Sequence, residues 1–221
     1  MNILFVALAP VLIIAFYIYF RDKYEKEPIG LLLKSLLAGA IIVLPVIFIE
    51  HFISSFDIYF QGLPKAMYDA FLVAAITEES FKYFALMLLI WKNPNFNEKF
   101  DGIVYAVFIS LGFAGIENIL YVLSFGLQVG WSRAFTAVPA HAIFGIMMGY
   151  YFGLARFYPE MRRKLLIRAL VLPVIFHGIY DYLLMSKQQI LLLLFIPFLV
   201  FMWVTGFRRM RELSDRSLYK Y

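Results

Sequence analysis

Apolar residues occur along this chain in long continuous runs, and short polar stretches separate them. Seven runs are visible, at about 2–20, 30–50, 66–91, 103–125, 136–155, 168–185 and 189–207. A helix needs roughly 20 residues to cross a bilayer, and none of the runs alternates with the period of two that marks a strand. The pattern therefore predicts an all-α polytopic transmembrane helix bundle with about seven spans.

Composition supports a membrane protein and excludes several kinds of chemistry. The chain has 221 residues, is 63% hydrophobic and has a mean hydropathy of +0.79, whereas soluble domains are roughly 45–50% apolar. Because there is no cysteine, a disulfide scaffold, a thiol nucleophile and a thiolate metal site are excluded. None of the connections is long enough for a second core. We expect one membrane-embedded domain, 1–221, with a catalytic core over about 66–185.

The basic residues predict the orientation, since cytoplasmic loops are enriched in lysine and arginine. With seven spans, sixteen of the twenty basic residues fall on one side: Arg21, Lys23, Lys26, Lys34, Lys92, Lys99, Arg156, Arg162, Arg163, Lys164, Arg168, Arg208, Arg209, Arg211, Arg216 and Lys220. Only Lys65, Arg133 and Lys187 fall on the other side, and Lys82 lies inside the third run. We therefore predict an outside N-terminus and an inside C-terminus. The net charge of +5 then reflects orientation and lipid headgroups rather than nucleic-acid binding.

The first run is not expected to be a cleavable signal peptide, because its positive charges follow it instead of preceding it.

The third run contains three ionisable residues, Glu78, Glu79 and Lys82. A charge near the bilayer centre costs ~2.5 kcal/mol or more, so these side chains need partners within the protein. On a helix Lys82 lies one turn from both carboxylates and can approach each of them. An ion pair with Lys82 that only fixes helix packing would use one carboxylate. The second carboxylate would have no such partner, which favours a functional role for the pair.

Further polar residues lie in the next three runs. Glu117 and Asn118 are adjacent in the fourth run, His141 opens the fifth, and His177 and Asp181 share a helical face in the sixth. We expect these residues to form one polar site with the acids of the third run. Counted from the ends of the runs, that site should be reached from the outer half of the membrane. Glu50 and His51, at the outer end of the second run, are interpreted as interfacial residues.

This set of side chains suits hydrolysis of a peptide bond. A carboxylate in a low-dielectric site can act near neutrality as a general base and then as an acid, while histidine, asparagine and lysine can stabilise an oxyanion. No cofactor is then required. Zinc is the second choice: Glu78, Glu117, His141 and His177 could be ligands, but the motif His-Glu-x-x-His is absent. A non-catalytic scaffold or sensor and a proton-coupled transporter are the alternatives, although no internal repeat favours the transporter.

Four motifs in order resemble the PrsW intramembrane proteases, relatives of the CPBP/Abi group that includes the CAAX-processing endopeptidases. They are Glu78-Glu79-x-x-Lys82, Phe113-x-x-x-Glu117-Asn118, Pro139-x-His141-Ala142 and His177-Gly178-x-x-Asp181. The resemblance covers nearly the whole chain.

The resemblance implies a protease of the bacterial cytoplasmic membrane. Such enzymes make the first, extracytoplasmic cut in a single-pass anti-sigma factor, after which a sigma factor is released for an envelope-stress or antimicrobial-peptide response. By motif match, Glu78 and Glu79 are the essential acidic pair and His177 is the essential histidine. The related CAAX proteases usually have a histidine where this chain has Glu117, so the role of Glu117 stays open.

Our hypothesis for the roles has Glu78 as the base that activates water and Glu79 as a carboxylate held by Lys82. The sequence does not separate these two acids for the leading role. His177, oriented by Asp181, would face the oxyanion. Asn118 or His141 would supply a further donor.

Overall fold

The computed structural model describes residues 3–215, and within that range it contains helices, turns and no strand. Nine α-helices occur in this range: α1 Ile3–Arg21, α2 Ile29–Ser54, α3 Gly62–Met67, α4 Ile76–Ile90, α5 Asp101–Phe125, α6 Leu127–Phe135, α7 Ala137–Phe157, α8 Arg162–Met185 and α9 Gln189–Ser214. Short 3-10 turns at Asp57–Tyr59 and Pro159–Met161 join some of them. The predicted all-α class is confirmed.

Six helical stretches are long and apolar enough to cross a membrane, and they include α1, α2, α5, α7, α8 and α9. The predicted third span is a helical rod from Gly62 to Ile90 formed by α3, a π-helix and α4. It is not among the six, because Glu78, Glu79 and Lys82 place three charged residues within five positions. The chain is therefore a multi-pass membrane protein.

Several helix bounds differ from the sequence prediction. α8 begins at Arg162 rather than near 168, and α9 continues to Ser214 rather than ending near 207. Both extensions are rich in arginine, whose long side chain can follow an apolar surface while its charged end reaches water. α6 was not predicted as a separate helix. Asn2, Arg216 and Lys220 lie outside the described residues.

α5 and α7 form the centre of the bundle, and both are buried along most of their length. Their backbones approach at Gly102 and Gly149, where a side-chain carbon on Gly149 would lie 2.2 Å from the Gly102 carbonyl oxygen. α2 approaches α5 in the same way, because a carbon on Gly112 would lie 1.9 Å from the Leu36 carbonyl oxygen. Small residues at such crossings let membrane helices pack closely. This packing holds the polar residues of α5 and α7 next to each other.

A π-helix over Tyr68–Ala75 precedes α4, where the sequence predicts an ordinary helix. π-helical turns inside α-helices occur frequently at functional sites. The π-helix packs on α8 at Gly178, where a side-chain carbon would lie 2.3 Å from Cδ1 of Phe71. Gly178 thus permits a close approach next to His177. The π-helix ends at Ala75, three residues before Glu78, so it sets the position of the acidic pair.

Candidate active site

A cavity of about 770 Å³ extends into the bundle from the helix ends that the charge distribution places outside. Its mouth is lined by residues of the predicted outer connections, among them Ser54, Lys65, Arg133 and Lys187. Deeper in the bundle it is lined by the predicted site residues Glu78, Glu117, His141, His177 and Asp181. The structure therefore brings together polar residues from four separate runs, on the side from which we expected access.

Lys82 is the centre of this group, and its side chain is completely buried. Its ammonium nitrogen Nζ lies 2.9 Å from Oε2 of Glu78, 2.8 Å from Oε1 of Glu79 and 3.1 Å from Nδ1 of His141. The ring of Phe113 lies 4.2 Å from Nζ, within the range of a cation–π contact. An ammonium has three N–H donors, so these three acceptors satisfy it fully. The sequence predicted the contacts with the two acids, and the contact with His141 is new.

His141 is held between Lys82 and Glu117. An ammonium can only donate, so Nδ1 of His141 must accept from Lys82, and Nε2 must carry the ring proton. Nε2 lies 2.9 Å from Oε2 of Glu117 and donates to it. Arg133, on α6, places Nη2 2.8 Å from the same carboxylate oxygen in an ion pair that is not a well-directed hydrogen bond. Glu117, whose role the sequence left open, therefore contacts both the His141 ring and the Arg133 guanidinium.

Asn118 points away from the cavity. Its Nδ2 donates to the carbonyl oxygen of Ala7 at 2.9 Å, and its Oδ1 accepts from Nε of Arg133 at 3.1 Å. The side chain is fully buried and is not part of the cavity wall. The geometry therefore does not support the expected oxyanion role. Asn118 instead ties α5 to α1 and to α6.

His177 lies between two carboxylates. Its Nδ1 is 3.0 Å from Oε1 of Glu79, and its Nε2 is 3.1 Å from Oδ2 of Asp181. A carboxylate beside each ring nitrogen favours the doubly protonated imidazolium form of His177. The ring also stacks on Phe144 at a centroid distance of 4.8 Å. The pairing with Asp181 was predicted from the four-residue spacing, whereas the bond to Glu79 was not.

The two adjacent glutamates occupy different environments. Glu79 is completely buried between Lys82 and His177, and its Oε2 has no hydrogen-bond partner among the described residues. Glu78 lines the cavity, and its Oε1 lies 4.0 Å from Nε2 of His177. Only Glu78 of the pair can therefore meet a molecule that enters the cavity. The sequence could not separate these two residues, whereas in the structure Glu78 lines the cavity and Glu79 does not.

Sequence reasoning missed Arg133 and underestimated Glu50. Arg133 was counted as an outer-loop cation, but its guanidinium lies 3.8 Å from the ring of Tyr121. It also donates a hydrogen bond to Asn118 and forms an ion pair with Glu117, both on α5. Glu50 was interpreted as interfacial, yet it lines the cavity. The sequence could have predicted the contact of Arg133 with Glu117. A buried carboxylate requires a cationic partner, and only Lys65, Arg133 and Lys187 are assigned to the outer side.

The fold and the site together define a class of protein. Paired carboxylates, imidazoles and an ammonium lie inside a bundle of membrane helices, at the inner end of a cavity. Buried ionisable groups of this kind mark functional sites in membrane proteins. The carboxylates of this site can activate water, and its imidazole and ammonium groups can stabilise an oxyanion. The arrangement is that of a protease that works within the membrane.

Comparison with known proteins identifies the family. Residues 27–205 match the family described as "PrsW family intramembrane metalloprotease", and the chain belongs to this family. It is therefore a membrane peptidase, as the four sequence motifs predicted.

Bacterial relatives match over almost the whole chain. The chain is 39% identical to a protein named Protease PrsW from Oceanobacillus iheyensis, over 99% of both chains. It is 36% identical to Protease PrsW of Bacillus subtilis over 93% of this chain and 92% of that one. For Protease PrsW of Clostridioides difficile the identity is 34%, over 98% and 93%. No solved structure matches the chain significantly.

The family description names a metal, and part of the site has suitable donors. Glu78, Glu79 and His141 place one ligand atom each within 4.8 Å of one another, and carboxylate and imidazole are zinc ligands. These are also the three residues that the ammonium of Lys82 contacts. Zinc binds such donors at about 2.0–2.2 Å and would need the place that Nζ occupies. The donors fit zinc by type, but the arrangement with Lys82 among them does not.

Proposed function

We propose that this protein is a glutamate-dependent intramembrane endopeptidase that makes the first, extracytoplasmic cut in a single-pass anti-sigma factor. That cut would start the release of a sigma factor for an envelope-stress or antimicrobial-peptide response. One observation carries the assignment of the base: Glu78 lines the cavity beside His177, whereas Glu79 is completely buried. The four family motifs support the substrate class.

Glu78 acts as the general base in this proposal. A water molecule in the cavity gives a proton to the Glu78 carboxylate, and the resulting hydroxide attacks the carbonyl carbon of the scissile peptide bond. When the tetrahedral intermediate breaks down, the protonated Glu78 gives its proton to the leaving amine. Lys82 lies 2.9 Å from Oε2 of Glu78 and leaves Oε1 directed toward His177. A positioned carboxylate contributes typically about 10²–10⁴-fold in this role.

His177 is the proposed donor to the oxyanion. Its Nε2–H lies on the cavity side of the ring, between Asp181 and Glu78. As an imidazolium it can share this proton with a developing negative charge, while Glu79 holds the other side of the ring. His141 has both nitrogens engaged with Lys82 and Glu117, so its role is to hold the ammonium.

The cavity suits a substrate that enters from the outer side. Its mouth lies among the connections that the charge distribution places outside, and its inner end reaches Glu78. An extended segment just outside a transmembrane helix could reach the base without complete unwinding of that helix. The sides of the cavity also present Tyr121 and Arg133, which can bind backbone carbonyl groups of such a segment.

The test uses purified protein in liposomes with a tagged single-pass substrate that has a short extracytoplasmic tail. Products are mapped by mass spectrometry for the wild type, Glu78→Gln, Glu79→Gln and His177→Ala. Glu160, an exposed acid near the other end of the bundle, provides the matched control Glu160→Gln. We expect cleavage by the wild type and by Glu160→Gln, and none by Glu78→Gln.

Three results would contradict the proposal. Cleavage by Glu78→Gln at the wild-type rate would remove the assigned base. A wild-type protein that binds the substrate but cuts no outer tail would favour the scaffold or sensor alternative. A cut near the cytoplasmic end of the substrate would contradict the proposed side of access.

A further inference from the structure

The ammonium of Lys82 has the surroundings of a bound cation. Three side chains direct a lone pair or a carboxylate oxygen at Nζ, at distances of 2.8 to 3.1 Å, and the face of Phe113 covers it. The lysine side chain is completely buried, so no water competes for these contacts. Two of the three contacts come from its own helix, and the third joins α4 to α7 through His141.

His141 is prepared in the form that a metal ligand takes. Metal-binding histidines usually donate their second ring nitrogen to a carboxylate, which fixes the tautomer and leaves the first nitrogen free to bind. Nε2 of His141 donates to Glu117 in this way, and its Nδ1 lone pair is directed at Lys82. The ammonium therefore occupies the position in which a metal ion would complete such a triad.

The charges of the connected side chains come within one unit of balance without a divalent ion. Contacts of 4.0 Å or less link four carboxylates, Glu78, Glu79, Glu117 and Asp181, with three cations, Lys82, Arg133 and the His177 imidazolium. One negative charge remains in this network. A divalent ion added beside Nζ would meet strong repulsion in a medium of low dielectric constant, because like charges at such distances interact strongly there.

We propose that the ammonium of Lys82 is the resident cation of this active centre and that it excludes a divalent metal from Glu78, Glu79 and His141. Removing the ammonium would turn these three side chains into a divalent-metal site. The proposal rests on the proposed function only in treating Glu78 as the base that the ammonium orients. Its metal-binding half concerns the geometry of the three donors and can be tested without a substrate.

Metal content is the primary measurement. The wild type, Lys82→Met and Lys65→Met are purified, incubated with Zn²⁺, desalted and assayed by mass spectrometry for zinc per chain. Methionine approximates the length of lysine and removes its charge. Lys65 is the matched control, because it also bridges two carboxylates, Asp57 and Asp69, but has no histidine. We expect about one zinc per chain in Lys82→Met and none held stoichiometrically by the other two proteins.

A double variant distinguishes zinc bound at the three donors from zinc bound elsewhere on the protein. Lys82→Met with His141→Ala should lose the zinc that Lys82→Met gains, because the imidazole is the strongest neutral donor of the set. Zinc should also raise the thermal unfolding midpoint of Lys82→Met and leave the wild type unchanged, since only a folded site binds the ion. If Lys82→Met does not fold without zinc, recovery of folding when zinc is added would also show that the variant has a zinc site.

The outcomes for this proposal and for the proposed function can be told apart. A wild type that cuts substrate but holds one zinc per chain overturns the role of Lys82 and leaves the protease intact. A Lys82→Met protein that folds and binds no zinc also overturns it. A wild type without zinc that fails to cut any outer tail, while Lys82→Met gains the ion, rejects the function and keeps the metal exclusion.

Discussion

Nε2 of His141 donates a hydrogen bond to Oε2 of Glu117 across the α5–α7 contact, at 2.9 Å. Because the ring proton is at Nε2, the lone pair of Nδ1 is directed at Lys82. The Glu117 carboxylate on α5 thereby fixes the tautomer and ring orientation of His141 on α7, next to the acidic pair on α4. The relationship explains why the family motif on the fourth span contains an acid in this chain.

Replacing Glu117 should therefore act through the orientation of His141. Glu117→Gln keeps an oxygen that can accept from Nε2, so we expect a smaller loss of kcat than in Glu117→Leu. Removing a carboxylate that orients a metal-bound histidine typically costs about 10–100-fold, and we expect a loss of similar size for the leucine variant here. KM should change little. Equal losses in both variants would contradict an orienting role and indicate that the charge itself matters.

Changing each of the two glutamates of α4 to glutamine should affect cleavage activity and thermal stability differently. Glu78→Gln should abolish cleavage and lower the unfolding midpoint less than Glu79→Gln does, because Glu78 contacts Lys82 but also borders the cavity. Glu79→Gln weakens a completely buried contact between Lys82 and His177, and breaking such a pair costs about 3–5 kcal/mol. We expect it to lower both activity and the unfolding midpoint in detergent. A stable, inactive Glu79→Gln with an unstable Glu78→Gln would reverse the assignment.

Close packing of α2 on α5 predicts that two helical glycines, Gly112 on α5 and Gly30 on α2, respond differently to substitution by alanine. A side-chain carbon on Gly112 would collide with the Leu36 carbonyl group, whereas one on Gly30 would have no atom within 4 Å. Overpacking costs roughly 1–3 kcal/mol, so Gly112→Ala should lower the thermal unfolding midpoint. Gly30→Ala should leave it unchanged or raise it slightly, since alanine favours the helix. Equal midpoints for the two variants would show that α2 moves freely against α5.

A pH effect on stability should come from the end of the bundle far from the cavity. Burial, reinforced by the neighbouring charge of Glu27, raises the pKa of Asp22 from an ordinary value near 3.8 to about 7. The folded protein therefore holds a proton that the unfolded chain releases, and stability from this group is lost as pH rises between about 4 and 7. Asp22→Asn should flatten that part of the dependence, measured as unfolding midpoints at several pH values. A variant with the wild-type slope would assign the effect to other groups.

The sequence by itself determined the class of protein and most of its chemistry. Long apolar runs have few ways to satisfy their backbone groups in a membrane other than as helices, so the all-α bundle followed from length and composition. Charged residues inside such runs require partners within the protein, which singled out Glu78, Glu79, Lys82 and Glu117 before any contact was known. The spacing of His177 and Asp181 predicted their pairing, because residues four apart share a helical face.

Only the tertiary structure decided which of these residues line the cavity and which contact one another. Glu78 and Glu79 are neighbours in sequence, and local spacing cannot reveal that one lines the cavity while the other is completely buried. The partners of Asn118 and Arg133 depend on how α1 and α6 pack against α5, and that packing involves residues far apart in the chain. The ammonium of Lys82 meets His141 for the same reason. Contacts between helices are set by close packing in three dimensions, and the pattern along one helix does not contain them.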